Sequence, residues 1–201
     1  MDKPRFKGFT LIEMLITLTV AGILVTVMVP NMRDFIRNNR LSSGVNDMLH
    51  ALQLARTEAI KRQSGNVVWC GTANPSAATP TCDYASFSGW FVFQDTNGNW
   101  QHDAAEPVIE VHDLLDSSIT VKTDANDRIV SFSPSGFANL AGVKVPVATI
   151  VLCDLRGVVQ YGTQASARTL IITPTGRARA SSTWNDVKLS SLPKVVGGSC
   201  P

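Results

Sequence analysis

The chain is poor in the side chains that most enzymes use for catalysis. Its 201 residues include only three histidines, His50, His102 and His112, and none adjoins a nucleophile motif or a glycine-rich phosphate loop. The tight Cys-x-x-Cys spacing of structural zinc sites is also missing. The sequence therefore predicts no enzyme activity, no bound metal and no cofactor.

Charge is nearly absent from the N-terminal region. Between Phe9 and Val29 the only charged side chain is Glu13, and a basic segment at 3–7 precedes this stretch. As an α-helix the stretch would extend roughly 32 Å, enough to cross a hydrocarbon core of about 30 Å. The basic segment predicts a single-pass helix with a cytoplasmic N-terminus. A carboxylate within it costs about 3 kcal/mol, so Glu13 should have a partner.

The segment Lys7-Gly8-Phe9-Thr10-Leu11-Ile12-Glu13, followed by Pro30 after the apolar run, resembles the class III signal of type IV prepilins and type II secretion pseudopilins. The resemblance implies that a prepilin peptidase cleaves between Gly8 and Phe9 and that Phe9 is N-methylated. It implies storage in the bacterial inner membrane, followed by polymerisation at an assembly platform. It also implies that Glu13 pairs with the Phe9 amine of a neighbouring subunit.

Four segments follow from these features. We predict a cleaved leader at 1–8, a membrane-spanning or filament-core helix at 9–30, an amphipathic stem helix at 31–64 and a periplasmic globular domain at 65–201. In the stem, apolar residues at helical spacing predict one buried face: Leu41, Val45, Met48, Leu52, Ala55 and Ala59. Basic side chains mainly off this stripe predict a solvated face: Arg33, Arg37, Arg40, Arg56, Lys61 and Arg62.

Beyond residue 65 the pattern changes to short runs rich in Val, Ile, Phe and Thr. These predict strands at 66–69, 89–94, 108–111, 119–122, 128–132, 149–153, 158–161 and 169–173. Without long helical patterns between them, antiparallel pairing is favoured, and a long helix packed on an antiparallel sheet is an α+β fold. No internal repeat is evident. Segments 54–62, 89–97 and 172–177 resemble the GspH/FimT type of minor pilins and pseudopilins, which implies a pilin-like architecture.

All four cysteines follow the apolar stretch, and this placement predicts an oxidising compartment and two disulfides. Four cysteines allow three connectivities. A short loop rich in Pro, Ala, Ser and Thr separates Cys70 from Cys82, and it favours the pairs Cys70–Cys82 and Cys153–Cys200.

One polar loop has the spacing of a calcium site. Oxygen-bearing residues occupy positions 1, 3, 5, 7, 9 and 12 of a calcium-loop template: Asp95, Asn97, Asn99, Gln101, Asp103 and Glu106. Trp100 replaces the glycine of the template, and the flanking segments are predicted strands instead of helices. A polar hairpin loop, in which Asn and Gly form the turn, is the favoured interpretation, with calcium binding as the weaker alternative.

Basic residues are concentrated at the C-terminal end. From residue 152 onward the sequence has six Lys or Arg and two Asp, whereas residues 65–151 have three basic and nine acidic side chains. The segment Gly176-Arg177-Ala178-Arg179 resembles the Gly-Arg-x-Arg motif of FimT-type minor pilins that bind DNA during natural transformation. Alternation on an extended strand would place both arginines on one side, where they could bind successive phosphates, and Lys188 would add a charge.

These features predict a structural subunit whose partners are other pilins or pseudopilins, with a lipid bilayer covering its helix before assembly. A minor type IV pilin in pilus assembly is the favoured function, with binding of double-stranded DNA as a further hypothesis. A pseudopilin of a type II secretion system is the alternative, because the leader and the stem are common to both groups.

Overall fold

The computed structural model describes residues 8–83, 87, 89–113, 115–123, 129–140 and 148–188, and at residues 27, 30, 31, 140, 148 and 188 it describes the backbone only. Within these residues the chain forms two helices, α1 (Leu11–Arg62) and α2 (Trp184–Lys188). The strands are β1 (Asn66–Thr72), β2 (Gly89–Asp95), β3 (Val108–His112), β4 (Thr120–Thr123), β5 (Ile129–Phe132), β6 (Ala138–Leu140), β7 (Ala148–Cys153), β8 (Gln160–Tyr161), β9 (Gln164–Ile172) and β10 (Ala178–Thr183).

The chain divides into two compact units, and the first comprises residues 1–39. Its described part is dominated by the first half of α1. From Phe9 to Ile36, the large apolar side chains that the structure describes are each at least 44% exposed, and Phe9 is 86% exposed. Within the described residues, no helix combines the length and the apolarity needed to cross a membrane.

The second unit, residues 40–201, contains the main hydrophobic core. The second half of α1 packs one face against Trp69, Trp90, Leu152 and Leu170 of the sheets. All six residues of the predicted apolar stripe are at most 2% exposed, so that prediction is confirmed. Full burial of each large apolar side chain stabilises the fold by about 1.5–3 kcal/mol.

Two antiparallel sheets form the β part of this unit. One has the strand order β3-β2-β1-β5-β6, and the other has the order β10-β9-β7-β4 with β8 paired to the end of β9. The predicted α+β fold, a long helix on antiparallel sheet, is confirmed. β10 forms the edge of its sheet, with Arg179 opposite Ile171 in the register.

The faces of the two sheets that point away from α1 are also covered by side chains. On the first sheet, Phe91 and Phe93 lie under Trp100 and the ring of His102. On the second sheet, α2 places the buried side chain of Val187 in a small cluster with Val151, Cys153, Val158, Ala165 and Ala167. Strand residues can therefore be buried on both faces.

The eight predicted strands are all present, with shifted ends. β6, β10 and α2 were not predicted, because Ala178–Thr183 contains small and polar residues and Ala138–Leu140 is too short to show a pattern. β9 begins five residues earlier than predicted, since Ala165 and Ala167 are buried by α2 although neither favours a strand.

A disulfide joins Cys70 of β1 to Cys82, with their Cα atoms 5.6 Å apart. This bond agrees with the first predicted pair. It closes the loop after β1 over the outer face of the first sheet, where both sulfur-bearing residues contact the Phe91 and Phe93 cluster. The second predicted pair, Cys153–Cys200, includes Cys200, which lies outside the described residues.

Candidate functional site

The N-terminal end of α1 is closed by a reciprocal capping arrangement of Thr10 and Glu13. The Glu13 N–H donates to the Thr10 hydroxyl at 3.3 Å, and the Glu13 carboxylate accepts from the Thr10 N–H at 2.9 Å and from its hydroxyl at 3.0 Å. This is a capping box, which satisfies backbone groups that the first helical turn leaves without partners. The spacing Thr-x-x-Glu signals it in the sequence, and the sequence analysis did not use that signal.

Both contacts to the Glu13 carboxylate use the same oxygen, Oε2. In the described part of the chain, the other oxygen, Oε1, accepts no hydrogen bond. Gly8 and Phe9 precede the helix in non-helical backbone, and residues 1–7 lie outside the described residues. Cleavage between Gly8 and Phe9, and methylation of Phe9, stay predictions.

The predicted DNA-binding segment lies at the hairpin between β9 and β10. The turn is closed by the Gly176 N–H donating to the Thr173 carbonyl at 2.9 Å and the Thr173 N–H donating to the Arg177 carbonyl at 3.0 Å. Gly176 has a φ of 77°, in the left-handed region that glycine adopts without a steric penalty. Backbone geometry alone therefore accounts for the glycine of the motif.

The hairpin between β5 and β6 repeats this turn. Ser133-Pro134-Ser135-Gly136 corresponds to Thr173-Pro174-Thr175-Gly176, and Gly136 has a φ of 80°. The Gly136 N–H donates to the Ser133 carbonyl at 2.8 Å, and the Ser133 N–H donates to the Phe137 carbonyl at 3.0 Å. The similarity is confined to these four-residue turns.

The two repeated turns meet beneath Arg56 of α1. The Ala138 N–H donates to the Pro174 carbonyl at 2.9 Å. Arg56 donates from Nε to the Gly136 carbonyl at 3.1 Å and from Nη2 to the Thr175 carbonyl at 3.1 Å. The prediction that Arg56 belongs to a solvated face was wrong, because its guanidinium joins the helix to one turn of each sheet.

Arg177 and Arg179 differ in their surroundings although both are exposed. Arg177 forms no side-chain hydrogen bond or ion pair with any described residue. Arg179 forms a two-pronged ion pair with Asp186 of α2, with Nη1 to Oδ2 at 3.0 Å and Nη2 to Oδ1 at 3.1 Å. Ser181 and Thr183 also donate hydroxyl hydrogen bonds to the same carboxylate.

This network shifts both titrating groups. The Arg179 hydrogen bonds hold the pKa of Asp186 well below its usual range, with a smaller contribution from the Ser181 hydroxyl. The bonded carboxylate in turn raises the pKa of Arg179. The guanidinium of Arg179 thus already binds an oxyanion in the geometry that a phosphate would use. The sequence analysis gave no role to Asp186, because no short-range spacing signals the pair.

Lys188 and Trp184 lie near β10, at the two ends of α2. The side chain of Lys188 lies outside the described part of the structure. Trp184, at the start of α2, packs against the Val187 cluster on the outer face of the second sheet. Among the predicted DNA-binding residues with described side chains, Arg177 is therefore the one whose charge is open to a ligand.

The polar loop after β2 is held by bonds among its own residues. Asp95 accepts from the N–H groups of Gly98 and Trp100, at 2.7 and 3.1 Å. The side chains of Asn97 and Asn99 both donate to Asp103, at 2.7 and 2.9 Å.

Glu106 closes the loop by accepting from the Thr96 N–H at 2.7 Å and the Asp103 N–H at 3.2 Å. In the described ranges no group of three or more His, Cys, Asp or Glu is arranged to hold a metal ion. The oxygen atoms of the calcium template are thus turned to backbone and amide donors within the loop, as in a polar hairpin.

Comparisons with known proteins agree with this architecture. A family model described as type II transport protein GspH matches residues 44–176, and a prokaryotic N-terminal methylation motif matches residues 3–29. The chain is similar to the type IV minor pilin FimU of Pseudomonas aeruginosa strain PAO1, at 20% identity and a TM-score of 0.50, over 73% of this chain and 92% of that chain. It is also similar to the minor pseudopilin EpsH from the type 2 secretion system of Vibrio cholerae, at 10% identity and a TM-score of 0.46, over 71% of this chain and 97% of that chain. No curated protein sequence matches.

At 20% identity, the likeness to FimU supports the fold alone. The family model covers more than half of the chain and ends at Gly176, so Arg177 and Arg179 lie just beyond it. The methylation motif includes Gly8, Phe9 and Glu13. Together the two family matches show that the chain belongs to the GspH family, the GspH/FimT type of minor pilins and pseudopilins.

Proposed function

We propose that the protein is a minor type IV pilin, a structural subunit that waits in the bacterial inner membrane and then enters a pilus. The observation that carries this proposal is the apolar surface of α1 from Phe9 to Ile36, which the chain itself leaves exposed. A helix that is apolar on all sides is stable only when lipid or other helices cover it. A bilayer would cover it before assembly, and packed helices of other pilins would cover it afterwards.

Glu13 fits both states in this proposal. Oε2 caps the helix through Thr10, while Oε1 is open to the amine of a neighbouring Phe9 after leader cleavage. In a filament core that excludes water and lipid, pairing with an amine would offset the desolvation of the carboxylate. Processing by a prepilin peptidase creates that amine, so cleavage and assembly are coupled.

Three variants separate helix capping from pairing between subunits. Glu13→Gln keeps a capping oxygen but removes the charge, Thr10→Ala removes the cap but keeps the charge, and Glu13→Ala removes both. We expect both Glu13 variants to remain in the membrane fraction but to fall roughly tenfold or more in sheared pili, because a filament amine is left unpaired.

Thr10→Ala should enter pili at nearly the wild-type level, since a lost cap costs only about 1 kcal/mol. Immunoblots of the membrane and sheared fractions measure both quantities. Equal recovery of Glu13→Gln and wild type in the sheared fraction would refute the role of the charge.

Binding of double-stranded DNA is a second function that the site favours. The supporting observation is Arg177, which is exposed at the hairpin and unpaired among the described residues. The C-terminal region around it has an excess of basic side chains. Contacts of this kind bind the phosphate backbone without reading the base sequence, and their affinity falls with added salt.

A role as a pseudopilin in protein secretion is the alternative within the same family. A deletion strain scored in parallel for surface pili, natural transformation and secreted proteins separates the candidates. Loss of pili supports the proposal, and loss of transformation with normal pili supports the DNA function. Loss of secretion alone refutes the pilus role and supports the pseudopilin.

A further inference from the structure

A polar groove of about 260 Å³ lies between α1 and β10, and neither Arg177 nor Arg179 lines it. Its polar lining consists of Ser42 and Asn46 from the helix, Arg168 from β9, and Ser181 and Ser182 from β10. Ser181 and Ser182 already donate their hydroxyl hydrogens to Asp186 and Gln164, whereas Ser42, Asn46 and Arg168 keep donors without a partner among the described residues. None of the lining residues is acidic.

Arg168 enters this groove as a result of strand alternation. It lies opposite Leu152 in the register, two residues before Leu170, and both leucines belong to the core that packs on α1. Arg168 therefore continues the helix-facing row of β9 beyond the end of the apolar core. A guanidinium at this position ends the core and borders the groove.

The charge of Arg168 is only partly compensated by the protein. Its Nη1 donates to the backbone carbonyls of Ala165 and Ala167, each at 3.2 Å. Among the described residues, its Nε and Nη2 have no hydrogen-bond partner. Two neutral carbonyls do not balance a full positive charge, and several donors of the planar fork stay available.

Asp154, a carboxylate whose charge acts on Arg168, is paired with Arg156. Asp154 accepts from Arg156, with Nη2 to Oδ2 at 2.7 Å and Nε to the two carboxylate oxygens at 3.1 and 3.0 Å. Partial burial is the main cause that lowers the pKa of Arg168, and repulsion from Arg156 adds to it. A half-buried cation beside a second cation gains free energy from an added anion.

We propose that this groove binds one side-chain carboxylate of a neighbouring filament subunit, an inference that rests on the proposed role in pilus assembly. The Arg168 fork matches a carboxylate, and the hydroxyl of Ser42 and the side-chain amide of Asn46 supply further donors. A DNA backbone fits less well, because its phosphates follow one another along a strand whereas the groove offers one guanidinium between two walls. A second copy of this chain, moreover, would present excess acidic charge along residues 65–151.

The first test titrates simple anions into the full-length protein in detergent micelles. Acetate and glutarate are the carboxylate probes, and inorganic phosphate and chloride are the comparisons. The readouts in nitrogen-15 NMR spectra are the Arg168 Nε–H signal and, in every variant, the backbone N–H signals of Ser42 and Asn46. We expect saturable carboxylate-dependent shifts at all three, and in Arg168→Gln we expect the affinity reported by the backbone signals to fall roughly tenfold or more. Arg177→Gln is the matched control and should bind as wild type does.

Three results of the titration would overturn the inference or its assignment to a carboxylate. Absence of saturation with either carboxylate, or equal binding by Arg168→Gln, overturns the inference. Tighter binding of phosphate than of glutarate overturns the assignment to a carboxylate. Circular dichroism of Arg168→Gln must match wild type, and Arg168→Lys, which keeps the charge, should restore part of the affinity if the anion site is real.

The second test places a photoreactive benzophenone residue at Ser182 in cells. We expect light-dependent crosslinks to another pilin in sheared pili, and their loss when Arg168→Gln is added. Crosslinks that persist with Arg168→Gln overturn the inference, although the proposed function still stands if the protein is present in the pili. Absence of the protein from pili is instead the failure of the proposed function, which the sheared-fraction assay detects separately.

Discussion

Gly176 packs directly against the carbonyl group of Gly136. A Cβ atom at Gly176 would lie 2.1 Å from the Gly136 oxygen and 3.0 Å from Nε of Arg56. The relationship joins the β9–β10 hairpin of one sheet to the β5–β6 hairpin of the other. The glycine that begins the predicted DNA-binding motif is thus required by the packing of two backbones.

Gly176→Ala should therefore destabilise the protein. The left-handed backbone costs an alanine about 1–2 kcal/mol, and separating the two turns adds to that cost. We expect a loss of about 3 kcal/mol in the free energy of unfolding. Denaturation of the full-length protein in detergent micelles, followed by the fluorescence of the buried Trp69 and Trp90, measures it.

Gly98→Ala is the matched control for this substitution. Gly98 has a φ of 75°, but no described atom lies within 4 Å of a Cβ built there. Gly98→Ala should lower the free energy of unfolding by only about 1 kcal/mol, which is the cost of the left-handed backbone alone. Equal losses at the two glycines would show that the contact with Gly136 contributes nothing.

Arg56→Gln should weaken the junction of the two turns. Arg56 supplies charge-assisted hydrogen bonds to the Gly136 and Thr175 carbonyls, and each is worth about 1.5 kcal/mol or more. We expect a loss of about 2 kcal/mol in the same unfolding measurement. Arg56→Lys should recover less than half, because an ammonium does not reproduce the planar fork.

Arg37→Gln serves as the comparison for Arg56. Arg37 forms a surface ion pair with Asp34 at 3.5 Å, in which both side chains are more than 40% exposed. Such pairs contribute at most about 0.5 kcal/mol. A loss as large as that of Arg56→Gln would mean that removal of any stem cation is harmful, whatever its contacts.

Asp186→Asn should strengthen binding of double-stranded DNA. Asp186 competes with phosphate for the Arg179 guanidinium, so its neutralisation frees a second cation beside Arg177. We expect a gain of roughly threefold or more in affinity, measured by fluorescence anisotropy at low salt. Arg177→Gln should lose binding, and Arg179→Gln should have little effect in the wild-type background.

The double variant Asp186→Asn with Arg179→Gln tests the cause of that gain. If Asp186 acts through Arg179, the gain disappears in the double variant. A gain that survives there would assign the effect to net charge alone. Unchanged binding in all four variants would remove the β10 residues from the DNA hypothesis.

Acid should release the Arg179–Asp186 pair. The folded-state pKa of Asp186 lies below the unfolded value of 3.8, so its contribution to stability is complete above about pH 4 and is lost as the pH falls further. The stability difference between wild type and Asp186→Asn should be constant near neutrality and shrink below about pH 4. Unfolding curves at several pH values measure it, and a difference independent of pH down to about 2.5 would contradict the shift.

Patterns within short segments led to correct predictions in this protein. The stem stripe from Leu41 to Ala59 is buried as its spacing indicates, and the loop between Cys70 and Cys82 is closed by the expected disulfide. The strands rich in Val, Ile and Phe are present. In each case one segment contains the whole signal, because periodicity and composition act along the local backbone.

Cationic side chains were harder to assign. Arg56, Arg168 and Arg179 are the same residue type, but their contacts differ. Arg56 joins two turns, Arg168 borders a groove and Arg179 is paired with Asp186. The partners of Arg56 and Arg179 lie in other elements, and no short sequence motif indicates them. A basic segment predicts excess charge, but not which of its charges a ligand can reach.

The sequence alone determined the N-terminal motif, the long apolar helix and the α+β class, because cleavage signals, helical periodicity and strand composition are local properties. The tertiary structure decided what Gly176, Arg56 and Arg179 do. The two Arg56 contacts span 80 and 119 residues of sequence. Such contacts form only when both sheets close on the helix, because only then does the guanidinium reach the carbonyl groups of both turns.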